Sequence, residues 1–322
     1  MHLTNQEVTQ FQQLGYVVKP GVFSQADMQP IKAAIDEMVD RKARQLQAEG
    51  QLADSCAGAP FETRLAEIQQ VDPAAAQAIV SYIWGKGGGG YSGPAMLAML
   101  RHAPLLDCIT SLIDGPDIVG SSVYRIRPKM PLWERGEVPW HQDSGYFLPH
   151  CDNHLIVTCW VPLIDVTVEN GCLWVMPQSH QDGIITHHRG GHGGYLEIVE
   201  PDLPPVAPIP VPMSAGSVLF MTNLTPHASF ENRTDQVRWS LDLRYQGMSA
   251  PNNLGETPAD ATPERDPATL ACYPPEADFV IRDTQHPERE VRSPEAFNQL
   301  RERFNAAKVY SPGRGWKAIK AE

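Results

Sequence analysis

The chain has little positive charge and lacks the features of a protein that acts on nucleic acid or in a membrane. Its 322 residues include 26 Lys and Arg against 38 Asp and Glu, a formal net charge of −12. Such a surplus of negative charge opposes binding to nucleic acid or to an anionic lipid surface. No apolar run is long enough to span a bilayer, and no segment has the pattern of a signal peptide. We therefore expect a small-molecule substrate, with neither nucleic acid nor membrane as a partner; the sequence leaves the oligomeric state open.

Closely spaced cysteine pairs are absent. The six cysteines are scattered along the chain, at positions 56, 108, 151, 159, 172 and 272. We interpret them as reduced thiols and expect a cytoplasmic protein. A Gly-x-Ser-x-Gly motif is also missing, which argues against a serine hydrolase. The glycine-rich stretch at 85–90 contains a glycine-lysine pair, but no Ser or Thr follows the lysine, so the stretch is interpreted as a loop and not as a phosphate-binding site.

The first third of the chain has helical patterns. Thr4 and Glu7 form a capping-box pattern for a short helix that Gly15 ends. Further helices are predicted from Ser24 to a stop at Gly50, from Asp72-Pro73 through Ile79, and from Ala95 to Ile113. We expect residues 1–115 to form a mainly helical buttress within a single domain that spans residues 1–322.

The pattern changes near residue 118 to short apolar runs separated by Pro, Gly and Asn, which indicates strands. The clearest are Val123–Arg127, Leu155–Val161, Ser217–Thr222 and Val237–Tyr245. Helices followed by antiparallel strands predict a mainly β fold with flanking helices, built on a double-stranded β-helix core, a cupin-like jelly roll, over residues 116–247. Residues 248–322 are rich in proline and loops, with a helix expected at Ser293–Lys308, and form a C-terminal extension of unassigned role.

One His-x-Asp pair stands out from three in the sequence. His141 and Asp143 lie in an aromatic context, whereas the pairs that begin at His150 and His180 lie in turn-like segments. On an extended strand, residues two apart point to the same face. A third ligand from a distant strand would give two imidazoles and one carboxylate on one side of a metal. That arrangement is typical of non-haem iron(II) oxygenases.

The third ligand is predicted at His227. The polar cluster after Phe230 suggests a hairpin in which His227 lies opposite Arg238, with Ser229 on the same face. His227 could then bind the metal, while Arg238 grips a carboxylate of a bound molecule. Three further histidines lie among glycines, His187, His188 and His192, and are interpreted as surface residues of a flexible loop.

These motifs resemble the phytanoyl-CoA dioxygenase family. The resemblance rests on Trp140-His141-Gln142-Asp143, on the run from Trp160 to His180, and on the spacing of His227, Ser229 and Arg238; it covers roughly residues 4 to 247. Members of that family are Fe(II)- and 2-oxoglutarate-dependent dioxygenases. The resemblance implies that His141, Asp143 and His227 bind Fe(II), and that dioxygen is the other cosubstrate. It also implies a 2-oxoglutarate site, formed by Arg127, Trp160, Ser229 and Arg238.

The function expected from this resemblance is oxygenation, by hydroxylation or desaturation, of a small-molecule metabolite or natural-product intermediate. Two alternatives remain. One is a non-oxidative jelly-roll metal protein of the lyase or isomerase type, in which Arg238 binds an acidic ligand. The other is a binding module that has lost activity, against which the intact ligand set argues. A requirement for 2-oxoglutarate separates the oxygenase from both.

Overall fold

A computed structural model of the protein describes residues 1–84, 91, 93–121, 124–272, 278–306 and 313–319. The glycine-rich stretch at 85–90 and the start of the strand predicted from Val123 lie outside these ranges. Within them, no helix combines the length and the apolar character needed to cross a membrane.

Seven α-helices are described, and six of them lie within the first 110 residues. Their bounds are α1 Asn5–Leu14, α2 Gln25–Ala48, α3 Arg64–Val71, α4 Pro73–Trp84, α5 Pro94–Leu100, α6 Ala103–Thr110 and α7 Pro294–Ala306. The capping box at Thr4 is present, and Gly15 ends α1 in the left-handed conformation with a φ of 82°. A Cβ at this position would come within 2.6 Å of His180, so both the backbone angle and the space require glycine.

Two of the predicted helices differ from the structure. Helix α3 was not predicted, because its eight residues show only a weak apolar stripe. The helix predicted from Ala95 to Ile113 is broken at Arg101 and His102 into α5 and α6. Pro104 explains the break, because its ring would clash with a carbonyl one turn earlier and it has no N–H to donate.

The strands form two antiparallel sheets. Their bounds are β1 Tyr16–Lys19, β2 Ile118–Ser121, β3 Arg125–Lys129, β4 Val138–His141, β5 Ile156–Pro162, β6 Leu173–Val175, β7 Ile209–Val211, β8 Val218–Thr222, β9 His227–Ser229, β10 Arg238–Gly247 and β11 Asp278–Arg282. The larger sheet has the order β1-β8-β5-β10-β2-β11, with β3 also paired to β10, and the smaller has the order β4-β9-β6-β7. The mainly β architecture with flanking helices and a jelly-roll core is as predicted.

The large sheet separates two cores. On one face, side chains such as Val161, Leu241 and Tyr245 pack against the helices in the main apolar core. On the other face, Trp160, Leu219 and Met221 meet the small sheet in a second, smaller core. Because successive strand residues point to opposite faces, each central strand contributes to both cores. The candidate site lies in the space between the two sheets.

The hairpin predicted around Asn232 is not formed. Strand β9 pairs with β4 and β6, whereas β10 pairs with β2, β3 and β5, so the two strands belong to different sheets. The connecting residues bond elsewhere: Asn232 donates to the carbonyl of Lys129, and the backbone N–H of Arg233 donates to the carbonyl of Glu169. The polar cluster is therefore a crossing between sheets, not a turn.

Cysteines 151 and 272 form a disulfide in the structure, so the interpretation of all six as reduced thiols is wrong. The expectation of a cytoplasmic protein loses the support that it drew from that interpretation. Sequence spacing could not reveal the bond, because the two residues are 121 positions apart and meet only through the fold. The disulfide ties the segment after Asp143 to the C-terminal extension, as does the backbone N–H of Leu148, which donates to the carbonyl of Cys272.

This disulfide should stabilise the folded protein. Closing so long a loop removes conformational freedom from the unfolded chain, so Cys272→Ser should lower the free energy of unfolding by about 2–4 kcal/mol. Urea unfolding without reductant would measure the difference, which should disappear when dithiothreitol is added. Cys56→Ser, at a partly exposed free cysteine, is the control and should change stability little. Equal stability of Cys272→Ser and the unaltered oxidised protein would contradict the prediction.

Candidate metal centre

His141 and His227 face each other across two paired strands. They are register partners in β4 and β9, and their ring centroids lie 4.2 Å apart. The Nδ1 atom of His141 lies 2.9 Å from the carbonyl oxygen of Pro139, and that of His227 lies 3.0 Å from the carbonyl oxygen of Thr225. A carbonyl only accepts, so each Nδ1 carries the proton. The Nε2 lone pair of each ring is then free for a metal.

Asp143 completes the group, although it does not lie on a strand as the sequence suggested. Strand β4 ends at His141, and Asp143 begins a short 3-10 turn that extends to Tyr146. The intervening Gln142 keeps an extended backbone, with a φ of −109° and a ψ of 143°, so the side chains at 141 and 143 still converge. Ligand atoms of the two histidines and the aspartate lie within 4.8 Å of one another, and all three residues are buried.

Two neighbouring side chains fix the carboxylate of Asp143. Arg244 donates to both of its oxygens, from Nη2 at 2.8 Å and from Nε at 3.2 Å, and the Thr158 hydroxyl donates to Oδ2. Burial alone would raise the pKa of Asp143, but the charge and hydrogen bonds of Arg244 hold it well below the usual range. The carboxylate is therefore ionised and held in one orientation, as metal binding requires.

Arg238, at the start of β10, forms a second charged feature of the same pocket. Its guanidinium donates to the hydroxyls of Ser240 at 2.7 Å and Ser229 at 3.2 Å, and it lies over the ring of Trp160 at 5.2 Å. Its Nε is buried without an acceptor, and burial lowers the pKa of Arg238 to about 10. No carboxylate among the described residues bonds to it. The structure therefore brings Arg238, Ser229 and Trp160 together as predicted, despite the incorrect hairpin.

Arg127 lines the pocket from β3. Its Nε donates to Asp242 at 2.7 Å, and its side chain is about one quarter exposed. The nearby Asp242 and Tyr195 raise the pKa of Arg127 despite its burial. Its terminal nitrogen atoms form no hydrogen bond with another described residue. Arg127 is thus in the pocket where the sequence predicted a cation, and part of its hydrogen-bonding capacity is unused.

Strand β10 supplies charged groups that the sequence reading missed. Alternate residues Arg238, Ser240, Asp242 and Arg244 point into the pocket, while Trp239, Leu241 and Leu243 pack in the helical core. Only Arg238 of the first four was assigned a role from the sequence. The period-two pattern of polar residues in a buried strand was the signal that could have identified Asp242 and Arg244.

His187 is a functional neighbour that was wrongly predicted to lie on the surface. Its side chain is fully buried, and its Nε2 accepts a 2.9 Å hydrogen bond from the backbone N–H of Gln142, between the two ligands. The carbonyl of Ile185 accepts from Nδ1 at 2.7 Å, so the ring is neutral. The His-x-Asp pairs that begin at His150 and His180 lie on short 3-10 turns, outside the candidate metal group.

The C-terminal extension braces the turn that carries Asp143. Trp316 donates from its indole N–H to the carbonyl of Gly145 at 2.7 Å and packs beside His187. Arg314 donates to the carbonyl of Phe147 at 3.1 Å and forms an ion pair with Asp152. No sequence motif predicted these contacts, which link residues more than 160 positions apart.

Comparison with solved structures shows the fold. A non-heme monooxygenase, ThoJ in its apo form, aligns over 93% of this chain and 97% of its own, with a TM-score of 0.53 and 19% identity. SnoN, a non-heme alpha ketoglutarate dependent epimerase from nogalamycin biosynthesis, aligns over 86% of this chain and 98% of its own, with a TM-score of 0.50 and 18% identity.

Comparison with sequences identifies related proteins. The model of the phytanoyl-CoA dioxygenase family matches residues 97–240, which include the candidate metal ligands. A methylphosphonate hydroxylase of Gimesia maris is 26% identical over 77% of this chain and 82% of its own length. A phytanoyl-CoA dioxygenase of Arabidopsis thaliana is 32% identical, but over 34% of this chain and 38% of its own length.

The donor set and these matches define the class of protein: an Fe(II)- and 2-oxoglutarate-dependent oxygenase that acts on small molecules. Within that class, residues 97–240 match the phytanoyl-CoA dioxygenase family, the family that the motifs resemble.

Removing Arg244 should weaken metal binding. In Arg244→Leu the Asp143 carboxylate loses its two charge-assisted hydrogen bonds, and loss of such support lowers metal affinity by about 10- to 100-fold. Anaerobic calorimetric titration with Fe(II) or Mn(II) would measure the change. Arg233→Leu, which removes an exposed guanidinium on the crossing between sheets, is the matched control. An unchanged affinity in Arg244→Leu would show that Arg244 does not hold the ligand.

His187 should make stability depend on pH. Burial lowers the pKa of His187 to about 4, so the unfolded state takes up a proton before the folded state does. The contribution of neutral His187 to the free energy of unfolding is fully present above its ordinary pKa of 6.5. This contribution is lost as the pH falls from 6.5 towards 4. The stability of the unaltered protein relative to His187→Gln, which retains an acceptor, should fall by roughly 3 kcal/mol over that interval. Urea unfolding at several pH values would measure it, and parallel curves for the two proteins would contradict it.

Proposed function

We propose that His141, Asp143 and His227 bind Fe(II), and that Arg238, Ser229, Trp160 and Arg127 bind 2-oxoglutarate beside it. The observation that carries this proposal is the close approach of three ligand atoms in a pocket that also contains a buried arginine without an acidic partner. Two imidazoles and a carboxylate suit Fe(II) and leave coordination positions for other molecules.

The environment of Arg238 fits one end of 2-oxoglutarate. A guanidinium presents a rigid fork of donors that matches a carboxylate in two hydrogen bonds. The present partners of Arg238 are the neutral hydroxyls of Ser229 and Ser240, which do not balance its charge. A carboxylate would supply the balancing negative charge and a hydrogen-bond acceptor for the unpartnered Nε. Trp160 restricts the guanidinium from one side.

Arg127 adds positive charge to the pocket. Asp242 takes one of its donors, and the terminal nitrogen atoms remain for ligands. A dianion such as 2-oxoglutarate is favoured in a buried pocket to which three arginines, Arg127, Arg238 and Arg244, contribute. Arg244 is mainly engaged with Asp143, which leaves Arg238 and Arg127 as the cations available to the cosubstrate.

Fe(II) and 2-oxoglutarate, when bound, would supply the electrons that activate dioxygen, the oxidant, for attack on a C–H bond of the substrate. The protein supplies geometry and exclusion of water. Backbone carbonyls hold both imidazoles in one tautomer, and Arg244 with Thr158 holds the carboxylate. Leu173 and Met221 contribute an apolar wall, which limits access of water to the reacting groups.

The whole chain, residues 1–322, is proposed to work as one domain, in which residues 248–322 brace the metal-binding turn. The bonds from Trp316 and Arg314 to that turn support a role for the extension in the site. Hydroxylation is the proposed outcome, in keeping with the relative named a methylphosphonate hydroxylase. No finding favours the non-oxidative alternative, which requires no 2-oxoglutarate.

The proposal predicts 2-oxoglutarate-dependent formation of succinate that needs added Fe(II). Arg238→Gln should raise the apparent KM for 2-oxoglutarate at least tenfold, because each charge-assisted hydrogen bond contributes about 1.5–3 kcal/mol. Its affinity for metal should stay nearly unchanged, since Arg238 does not touch a ligand. A succinate assay over a metabolite library, with metal titrations in parallel, would measure both quantities.

The control is Arg233→Gln, at an exposed arginine that forms an ion pair with Glu231. Its KM for 2-oxoglutarate should equal that of the unaltered protein. If Arg238→Gln also has an unchanged KM, Arg238 is structural. If the unaltered protein binds Fe(II) but releases no succinate with any compound, the non-oxidative alternative gains support.

A further inference from the structure

A second cavity lies beside the metal pocket. It has a volume of about 610 Å³, within the range of roughly 300–1,000 Å³ that is typical of small-molecule sites. Helix α4 contributes Val80, Ser81 and Trp84 to its wall, while Trp133 and Tyr195 enclose it from the other side. We call this cavity the aromatic chamber. None of the residues that form it belongs to the candidate metal group.

Two segments join the aromatic chamber to the metal pocket. The first runs from Trp133 in the chamber wall to Val138 and His141 in the pocket wall. The second runs from Tyr195 to Ile198, whose backbone N–H donates to the carbonyl of Trp140 at 2.7 Å. The walls of the chamber and of the metal pocket are therefore joined through the residues next to His141.

Tyr146 strengthens this junction. Its hydroxyl accepts a 3.1 Å hydrogen bond from the backbone N–H of Leu196, and its ring meets that of His141 edge to face at 5.9 Å. Helix α4, which forms part of the chamber wall, packs against β3, the strand that carries Arg127.

The chamber surface favours a flat, apolar body. The indole rings of Trp84 and Trp133 lie 6.1 Å apart, inclined at 31°, and offer their faces and edges to a ligand. The indole N–H of Trp84 is buried and has no acceptor among the described residues. A ligand with a hydrogen-bond acceptor could satisfy that donor.

The charges of the metal pocket favour a negative group on the same ligand. Three arginines and two aspartates line the pocket, which leaves one positive charge when both histidines are neutral. Fe(II) and the 2-oxoglutarate dianion cancel each other, so the surplus remains after both have bound. A buried surplus of one sign attracts a ligand of the opposite sign. The pocket is cationic although the whole chain has a net charge of −12.

From these observations we infer that the aromatic chamber binds the substrate, and that the substrate is an organic acid with a planar, apolar body. The body lies against Trp84 and Trp133, and the acidic group points towards the metal pocket, whose surplus positive charge it would balance. This inference rests on the proposed function, since it assigns the substrate class of the same site.

The test compares two probes of equal shape. The full chain, loaded with Fe(II) and 2-oxoglutarate under nitrogen, is titrated by calorimetry with 2-naphthoate and, separately, with the neutral 2-naphthamide. The naphthoate should bind at least about tenfold more tightly, because one charge pair near a protein surface is worth more than that factor. Equal affinities, or tighter binding of the amide, would overturn the inference of an acidic substrate.

Variants locate the binding site. Trp133→Ala removes an aromatic wall, and Ser81→Trp fills the chamber without removing a core side chain; each should weaken naphthoate binding by about tenfold or more. Tyr82→Ala, on the exposed side of the same helix, is the matched control and should bind as the unaltered protein does. Unchanged affinity in Ser81→Trp would place the ligand elsewhere and overturn the inference, even if Trp133→Ala fails to fold.

The visible absorption of the complex between Fe(II) and 2-oxoglutarate distinguishes failure of the proposed function from failure of the substrate inference. If it is absent from the unaltered protein, the proposed function has failed, and the substrate inference fails with it. If it forms in the unaltered protein and in the variants while naphthoate shows no preference over the amide, the function stands and the inference alone has failed.

Discussion

The ion pair between Asp143 and Arg244 is the interaction on which the rest of the site depends. A buried carboxylate is costly unless a fixed positive charge and hydrogen bonds replace the water that it has lost. Arg244 supplies both, with two donors on the two oxygens, and Thr158 adds a third. Asp143 can therefore remain ionised next to two imidazoles before any metal arrives. The site is prepared in advance, so metal binding does not have to reorient its one acidic ligand.

Polar and apolar residues alternate along β10 and point to opposite faces of the strand. One face of the strand presents Arg238, Ser240, Asp242 and Arg244 to the pocket, and the other face presents apolar residues to the helical core. Because the same backbone fixes both faces, packing in the main core determines the spacing of the charges that line the pocket beside Asp143. The helices contribute to function through this strand, and α4 also reaches a cavity wall.

The sequence predicted much of this arrangement, for identifiable reasons. The residue pattern changes near residue 118, where helices are followed by strands. The His-x-Asp pair of His141 and Asp143, together with the distant His227, is the ligand set expected for one metal ion. Arg238 and Ser229 do meet, but on strands of different sheets and not in the predicted hairpin. Spacing along the chain cannot show which sheet a strand joins. Contacts between residues far apart in the chain could not be predicted from the sequence. The disulfide, the bond from Trp316 to Gly145 and the burial of His187 depend on segments that only the fold brings together. Whether the predicted ligands and cosubstrate contacts act as proposed is a question for the assays.

The contact between the C-terminal extension and the turn of Asp143 has a consequence for how the protein is made. Translation delivers the residues around His141 and His227 before those around Trp316. The strands that carry the candidate ligands can therefore pair before Trp316 and Arg314 reach the turn of Asp143. The turn becomes braced only when the extension has docked, so the order of synthesis sets the order in which the site is completed.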